Sequence, residues 1–235
     1  MDHGPELMNL QNPVIVTLTG PSGAGKTFLA GMLAQQGFEP LVSTTTRAKR
    51  REETNGRDYH FVSKKQFDEL DKQGKLIEHV TYGENSYGIS AEEAQRAFNM
   101  GKPAVLVAEP HGVEQIHEYC TQRGWKVVRA FVNNPSEILM SRLMQRFMRD
   151  IHGLDPSCHE QAAAMAQKIE DYAGRLNNVL RFEQENWVQP AYDGRVPYDL
   201  IVDEFGDNAQ AIADRVCEIV ADVGGSPERG RKPGP

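Results

Sequence analysis

The chain has 235 residues, 39% of them hydrophobic and 25% charged, with a net charge of −7 and a pI near 5.5. That length supplies a sizeable core for one large domain or two small ones, and the acidic balance argues against a protein whose main business is gripping a polynucleotide. Cys120, Cys158 and Cys217 are odd in number and widely spaced, without a C-x-x-C pair, and no apolar run approaches bilayer-spanning length, so the expectation is a reducing, cytoplasmic setting with no disulfide framework, zinc site or membrane span.

Residues 1–12 are polar with Gly4 and Pro5, and residues 224–235 are rich in Gly and Pro, so both ends are expected to be disordered. Between them, residues 13–223 alternate strand and helix patterns, which predicts an α/β fold with a mainly parallel sheet. The apolar run Val14–Thr19 predicts a strand, and Lys26 to Gln36 predicts a helix ended by Gly37. Joining them is Gly20-Pro21-Ser22-Gly23-Ala24-Gly25-Lys26-Thr27, spaced G-x-x-x-x-G-K-T, followed by Phe28. Strand, glycine-rich loop and helix are the context that distinguishes a phosphate-binding (Walker A) loop from a chance match. The glycines turn successive N–H groups inward, the helix N-terminus adds positive dipole, Lys26 reaches the outer phosphates, and the Thr27 hydroxyl is placed to hold a magnesium ion. This points to a bound nucleoside triphosphate such as ATP and serves an ATPase, a GTPase or a kinase equally well.

The segment Ser43 to Arg51 reads as an exposed basic loop or edge, too polar for a buried strand, and Tyr59 to Val62 as a short strand. Ser63 and Gln66 form a capping box for a helix stopped at Gly74; Leu76 to Tyr82 is a strand carrying Glu78; Gly83 to Ser86 is a turn. Ser90 and Glu93 make a second capping box for a helix to Met100. The runs Ala104–Ala108 and Val127–Val132 are apolar enough for central parallel strands. A helix starting at Pro135-Ser136 carries Arg142 and Arg146. The stretch from Arg149 to Trp187 is helical at both ends around a break at Gly153–Cys158, which suits a lid. Tyr198–Val202 is a last strand, and Ala209, Ile212, Ala213, Val216, Ile219, Val220 and Val223 share one face of a closing helix.

A second anion site lies in Ser43-Thr44-Thr45-Thr46-Arg47-x-x-Arg50-x-x-Glu53-x-x-Gly56-x-Asp58-Tyr59-x-Phe61-Val62, where two guanidinium groups, hydroxyls and a phenol share one segment. Taken singly, Arg47 and Arg50 could be a solvated turn, Glu78 a solvent-facing strand residue, and Arg142 with Arg146 a solvated helix face. Together with the phosphate loop, the segment resembles the nucleotide-binding motif of the guanylate kinase family, and the similarity continues through Glu78, Tyr87-Gly88, Gly101-Lys102, Gly112, Pro135-Ser136, Arg142-Leu143, Arg146 and Arg175-Leu176.

The resemblance implies a P-loop kinase fold with a nucleoside-monophosphate subdomain at 43–100, a lid at 146–187, and a core from 13–42, 101–145 and 188–223. It implies ATP- and magnesium-dependent phosphoryl transfer to GMP or dGMP, with small nucleotides as the partners. Ser43, Arg47, Arg50, Tyr59 and Tyr87 would hold the acceptor phosphate, Glu78 would read guanine, and Lys26, Arg142, Arg146 and Arg175 would neutralise the charge in transit. Two departures bear on the base. The family has Ser or Thr where this chain has Ile89, and D-x-D-x-Q-G where it has Val107-Ala108-Glu109-Pro110-His111-Gly112, so Ile89 and Glu109 stand at base-reading positions with altered chemistry. A modified nucleotide or phosphorylated sugar as acceptor therefore stays open, as does a non-catalytic module of the same fold. Oligomeric state leaves no signal in the sequence.

Overall fold

The computed structural model describes residues 10–49, 53–82, 84–203 and 208–225. A strand β1 (Val14–Thr19) leads into helix α1 (Lys26–Gln35), and the edge strand β2 (Glu39–Pro40) follows. Then come β3 (Thr44–Thr45), β4 (His60–Phe61), α2 (Lys64–Lys72), β5 (Leu76–Tyr82), β6 (Asn85–Ser90) and α3 (Ala91–Asn99). The chain continues through β7 (Ala104–Val107), α4 (Pro110–Gln122), β8 (Lys126–Val132), α5 (Ser136–Ile151) and α6 (His159–Asn177). Two wide π-helical turns, Asn178–Phe182 and Gln184–Val188, connect α6 to the short α7 (Gln189–Tyr192), and β9 (Leu200–Val202) and α8 (Ala209–Gly224) complete the fold.

The strands form two sheets. A five-stranded sheet runs β2-β7-β1-β8-β9 with every pairing parallel, and a mixed four-stranded sheet runs β4-β3-β6-β5. The expected α/β class with a mainly parallel central sheet is what the chain adopts. All six residues of β1 are buried because helices cover both faces of the sheet. Its alternation splits them: Val14, Val16 and Leu18 pack with α1 and α8 residues such as Leu29, Leu33, Val216 and Val220, while Ile15 packs on the other side with Leu106, Ile116 and Cys120. Each such burial stabilises the fold by roughly 1.5–3 kcal/mol, so the strand that ends at the phosphate loop is firmly held.

Local signals place most elements. Ser63 and Gln66 form the expected capping box, and Gly37 and Gly74 stop α1 and α2 in positive-φ conformations. At α3 only half of the box forms. Ser90 Oγ accepts from Glu93 N–H at 3.2 Å, but the Glu93 carboxylate turns away to Val42 N–H, His60 and Arg96. Arg96 also reaches Glu39 of β2 at 2.7 Å, which ties the two sheets together.

Thr44 and Thr45 depart from the expected exposed loop: they form a buried, interior strand of the second sheet. Threonine tolerates this because its β-branched side chain suits a strand and its hydroxyl finds backbone partners; Thr45 Oγ1 donates to Ser86 O at 3.0 Å and accepts from Arg47 N–H at 3.1 Å. Likewise β6 begins at Asn85, inside the expected turn, and α4 starts with Pro110 at its first position. Of the expected disordered ends, residues 1–9 and 226–235 lie outside the described residues, whereas Asn12 N–H donates to Gly224 O at 3.1 Å, so the inner edges of both are tied together.

Candidate active site

The phosphate loop is built by backbone geometry. Gly20, Gly23 and Gly25 all have positive φ. At Gly20, with φ of 142°, a Cβ would stand 1.9 Å from Val132 O, so only glycine lets β1 pass this close to the end of β8. The first helical bond of α1 runs from Leu29 N–H to Gly25 O at 3.0 Å, which leaves the N–H groups of Lys26 and Thr27 outside the helical ladder at its positive end. Lys26 Nζ curls back onto Gly20 O at 2.7 Å and Pro21 O at 2.9 Å. Burial pushes its pKa down to about 8, against the opposing pull of Glu183 and Glu109. Thr27 and Phe28 are exposed at the mouth.

Three side chains brace the loop from outside it. The Glu183 carboxylate, itself buried, accepts from Ser22 N–H at 2.9 Å and from Ser22 Oγ at 3.0 Å. Asn134 Nδ2 donates to Ala24 O at 2.8 Å, and Arg142 Nη1 donates to Gly23 O at 3.1 Å and Ala24 O at 3.2 Å.

Across the second sheet, Arg47 gathers the expected acceptor group. Its guanidinium lies 5.3 Å from the Tyr59 ring centroid and 5.6 Å from that of Phe61, and the Tyr59 and Tyr87 rings sit 6.1 Å apart. Arg47 Nη2 pairs with Glu53 Oε1 at 2.6 Å, both side chains mostly buried, and this hydrogen bond holds the guanidinium above its ordinary pKa. Ser43 enters the same sheet through its carbonyl, which accepts from His60 N–H at 2.8 Å. Arg50 lies outside the described residues.

Glu78 is buried on β5. Burial, reinforced by the charge of Glu109, pushes its pKa up to about 7. Glu109 is raised as well, by burial and then by Glu183, while Lys26 pulls it back down. Glu109 is thus within electrostatic reach of both Glu78 and Lys26. Opposite Glu78 in the β5–β6 register stands Ile89, which is 1% exposed and packed with Ile77, Ala94 and Ile116, so its side chain belongs to the apolar core under the carboxylate.

On α5 and α6, Arg146 and Arg175 are exposed and make no hydrogen bond to the loop among the described residues. Arg175 faces Tyr172, whose hydroxyl donates to Asp150 at 2.6 Å: the Arg175 guanidinium lies 5.5 Å from the Tyr172 ring centroid, and Arg146 and Arg175 both act on the hydroxyl electrostatically. The two arginines, 29 positions apart in the chain, thus both lie within electrostatic reach of Tyr172, while Arg142 braces the phosphate loop.

Residues 11–181 match the family model described as guanylate kinase. The chain belongs to the guanylate kinase family. It is 32% identical to the guanylate kinase of Anaplasma phagocytophilum (strain HZ) over 186 residues, which span 73% of this chain and 87% of that protein. It is 33% identical to the guanylate kinase of Chromohalobacter salexigens over 182 residues, 75% of this chain and 78% of that one. The crystal structure of guanylate kinase from Anaplasma phagocytophilum superposes with a TM-score of 0.59 at 23% identity, covering 97% of this chain and 94% of that chain, which shows the shared fold.

Within this guanylate kinase fold, three residues with contacts to the site had no role assigned on sequence grounds. Glu53 stands inside the acceptor motif, and its spacing of six from Arg47 is the one signal that could have drawn attention to it. Asn134 follows directly on β8, and Glu183 lies beyond the matched region; neither carries a local pattern pointing to the loop.

Proposed function

We propose that the chain transfers the γ-phosphoryl group of ATP to GMP or dGMP, forming the diphosphate. The observation that carries this reading is the buried Glu78 carboxylate on β5, in the same sheet that carries the Arg47, Tyr59 and Tyr87 cluster, with Glu109 within electrostatic reach of both Glu78 and Lys26. An ionised carboxylate accepts two hydrogen bonds, and guanine offers two donors side by side, its N1–H and its exocyclic amine.

In this reading the loop N–H groups and Lys26 hold the donor phosphates. Ser43, Arg47, Arg50, Tyr59 and Tyr87 hold the acceptor phosphate. Arg142 keeps the loop in shape, and Arg146 and Arg175 move in from the lid to neutralise charge on the transferring group. Residues 43–100 act as the acceptor subdomain and residues 146–187 as the lid. The acceptor oxygen attacks in line, and catalysis is positioning plus electrostatics, with no covalent intermediate on the protein. The Thr27 hydroxyl, exposed at the start of α1 and without a hydrogen bond among the described residues, would hold a magnesium ion, which would supply charge neutralisation to the donor phosphates. Among the described residues no helix is long and apolar enough to cross a membrane. Cys120, Cys158 and Cys217 are free thiols, in keeping with the reducing, cytoplasmic setting that belongs to this reading.

A coupled assay over GMP, dGMP, AMP, CMP, dTMP and ribose phosphates, with ATP and magnesium, tests the assignment. GMP and dGMP should turn over at least a hundredfold more efficiently than the rest. Equal turnover of AMP would remove it.

A further inference from the structure

Glu183 is a carboxylate 5% exposed, and burying an ionised group in this way is costly unless both oxygens are satisfied. Both are, by a single residue 161 positions away: Oε2 takes Ser22 N–H and Oε1 takes Ser22 Oγ. The helical rod presents it by an irregular route. Glu183 stands between the two π-helical turns, its N–H donates to Asn178 O, and Gln189 N–H donates to Gln184 O, so the backbone winds more widely than an α-helix. Such turns are rare and cluster at functional sites, because they rotate one side chain out of the α-helical register. Val179, fully buried in the core, anchors the first of them, and the same rod carries Arg175.

We propose that Glu183 is the positioning residue of the donor-phosphate loop, clamping Ser22 so that the N–H groups from Gly23 onward stay turned toward the nucleotide. The inference rests on the donor role given above to Gly20–Thr27. A carboxylate beside a polyphosphate cradle is electrostatically adverse, and its partner Ser22 precedes the N–H groups that start α1, so its place is explained by loop geometry rather than by mimicry of phosphate. Its charge also opposes the loss of the proton from Lys26. Because Glu183 and Arg175 share one rod, closing of the lid side is felt at Ser22.

Calorimetric binding of magnesium-ATP and steady-state KM values for ATP and GMP test this on the full-length protein and its Glu183→Ala, Glu183→Gln, Ser22→Ala and Ser22→Ala/Glu183→Ala variants. Glu183→Ala should raise both the Kd and the KM for ATP tenfold or more while the KM for GMP stays within twofold. Glu183→Gln, whose amide oxygen still accepts from Ser22 N–H, should recover a large part of that loss. Ser22→Ala, which removes one of the two bonds, should cost about threefold, and the double variant should be no worse than Glu183→Ala alone because the pair acts as a unit. The proposal is overturned by unchanged or tighter ATP binding in Glu183→Ala, or by ATP and GMP KM values rising together, as general loosening would produce. If Glu183→Ala does not fold, Glu183→Gln and Ser22→Ala decide. Wild-type protein that binds ATP but phosphorylates no monophosphate overturns the kinase reading alone; wild-type protein that binds no ATP overturns both.

Discussion

The carboxylate of Glu78 occupies space that a side chain at Gly112 would need: a Cβ on Gly112 would stand 3.0 Å from Glu78 Oε2. A strand residue and a helix residue thus depend on each other, and the aim of Glu78 requires a glycine at the start of α4. Gly112→Ala should displace the carboxylate by a few tenths of an ångström, raise the KM for GMP several-fold and leave the KM for ATP unchanged. Parallel KM measurements for both substrates check the split.

Replacing the carboxylate itself has a larger effect. Glu78→Gln puts an amide donor against one of the two guanine donors, and each unmet buried contact costs about 1–3 kcal/mol, so kcat/KM for GMP should fall by about 10²–10⁴. ATP binding by calorimetry should be unchanged, because Glu78 lies outside the phosphate loop.

Two titrations set the pH profile. Measured with ATP held far below its KM, so that the free enzyme is reported, kcat/KM for GMP should fall as pH drops below 7, with Glu78 raised to about 7 and needed ionised; with Lys26 lowered to about 8 and needed protonated, it should fall again above 8. A narrow bell between these limits is expected in the free enzyme, and Glu78→Gln should abolish its acid limb. A flat profile from pH 6 to 9 would contradict both assignments.

The same burial makes Glu78 a stability cost at neutral pH. Its folded pKa is raised above that of the unfolded chain, so its contribution to stability is fully present below about pH 4 and is lost as pH rises through 7. A shift of this size corresponds to something on the order of 3 kcal/mol. Glu78→Gln should therefore melt higher than wild type at pH 8, and the difference should shrink at pH 5. Thermal unfolding at the two pH values measures it.

Glu53 should matter to the acceptor although it is an acid in an anion site. Its bond to Arg47 is short and mostly buried, and without it the guanidinium loses both its orientation and its counter-charge. Glu53→Ala is expected to raise the KM for GMP about tenfold rather than lower it, with kcat less affected. A lower KM would mean that Glu53 merely competes with the acceptor phosphate.

Gly20→Ala tests the close approach of β1 and β8. With φ of 142° and backbone oxygen 1.9 Å from the would-be Cβ, neither rotation nor a flexible neighbour can relieve the clash, so a loss of at least about 3 kcal/mol is expected, read as a drop in melting temperature.

Much of this protein was written locally. The spacing Gly20 to Thr27 after an apolar strand determined the phosphate loop, because glycine geometry, helix start and lysine all fall within eight residues. Ser43 to Val62 read locally as a second anion site, the role of Glu78 came only with the family resemblance, and the apolar runs at Val14, Ala104 and Val127 determined the central parallel strands. Tertiary structure alone decided four things. It buried Thr44 and Thr45 in a sheet interior, where cross-strand partners outweigh their polarity. It placed Arg175 over the Tyr172 ring, within electrostatic reach of Arg146 on the other helix. It set Glu183 on Ser22 and left Ile89 in the core opposite Glu78. The physical reason is range: caps, turns and periodicity act between residues a few positions apart, whereas these partners meet only after the sheet has closed long loops, and no local pattern encodes which distant side chain a buried carboxylate will find.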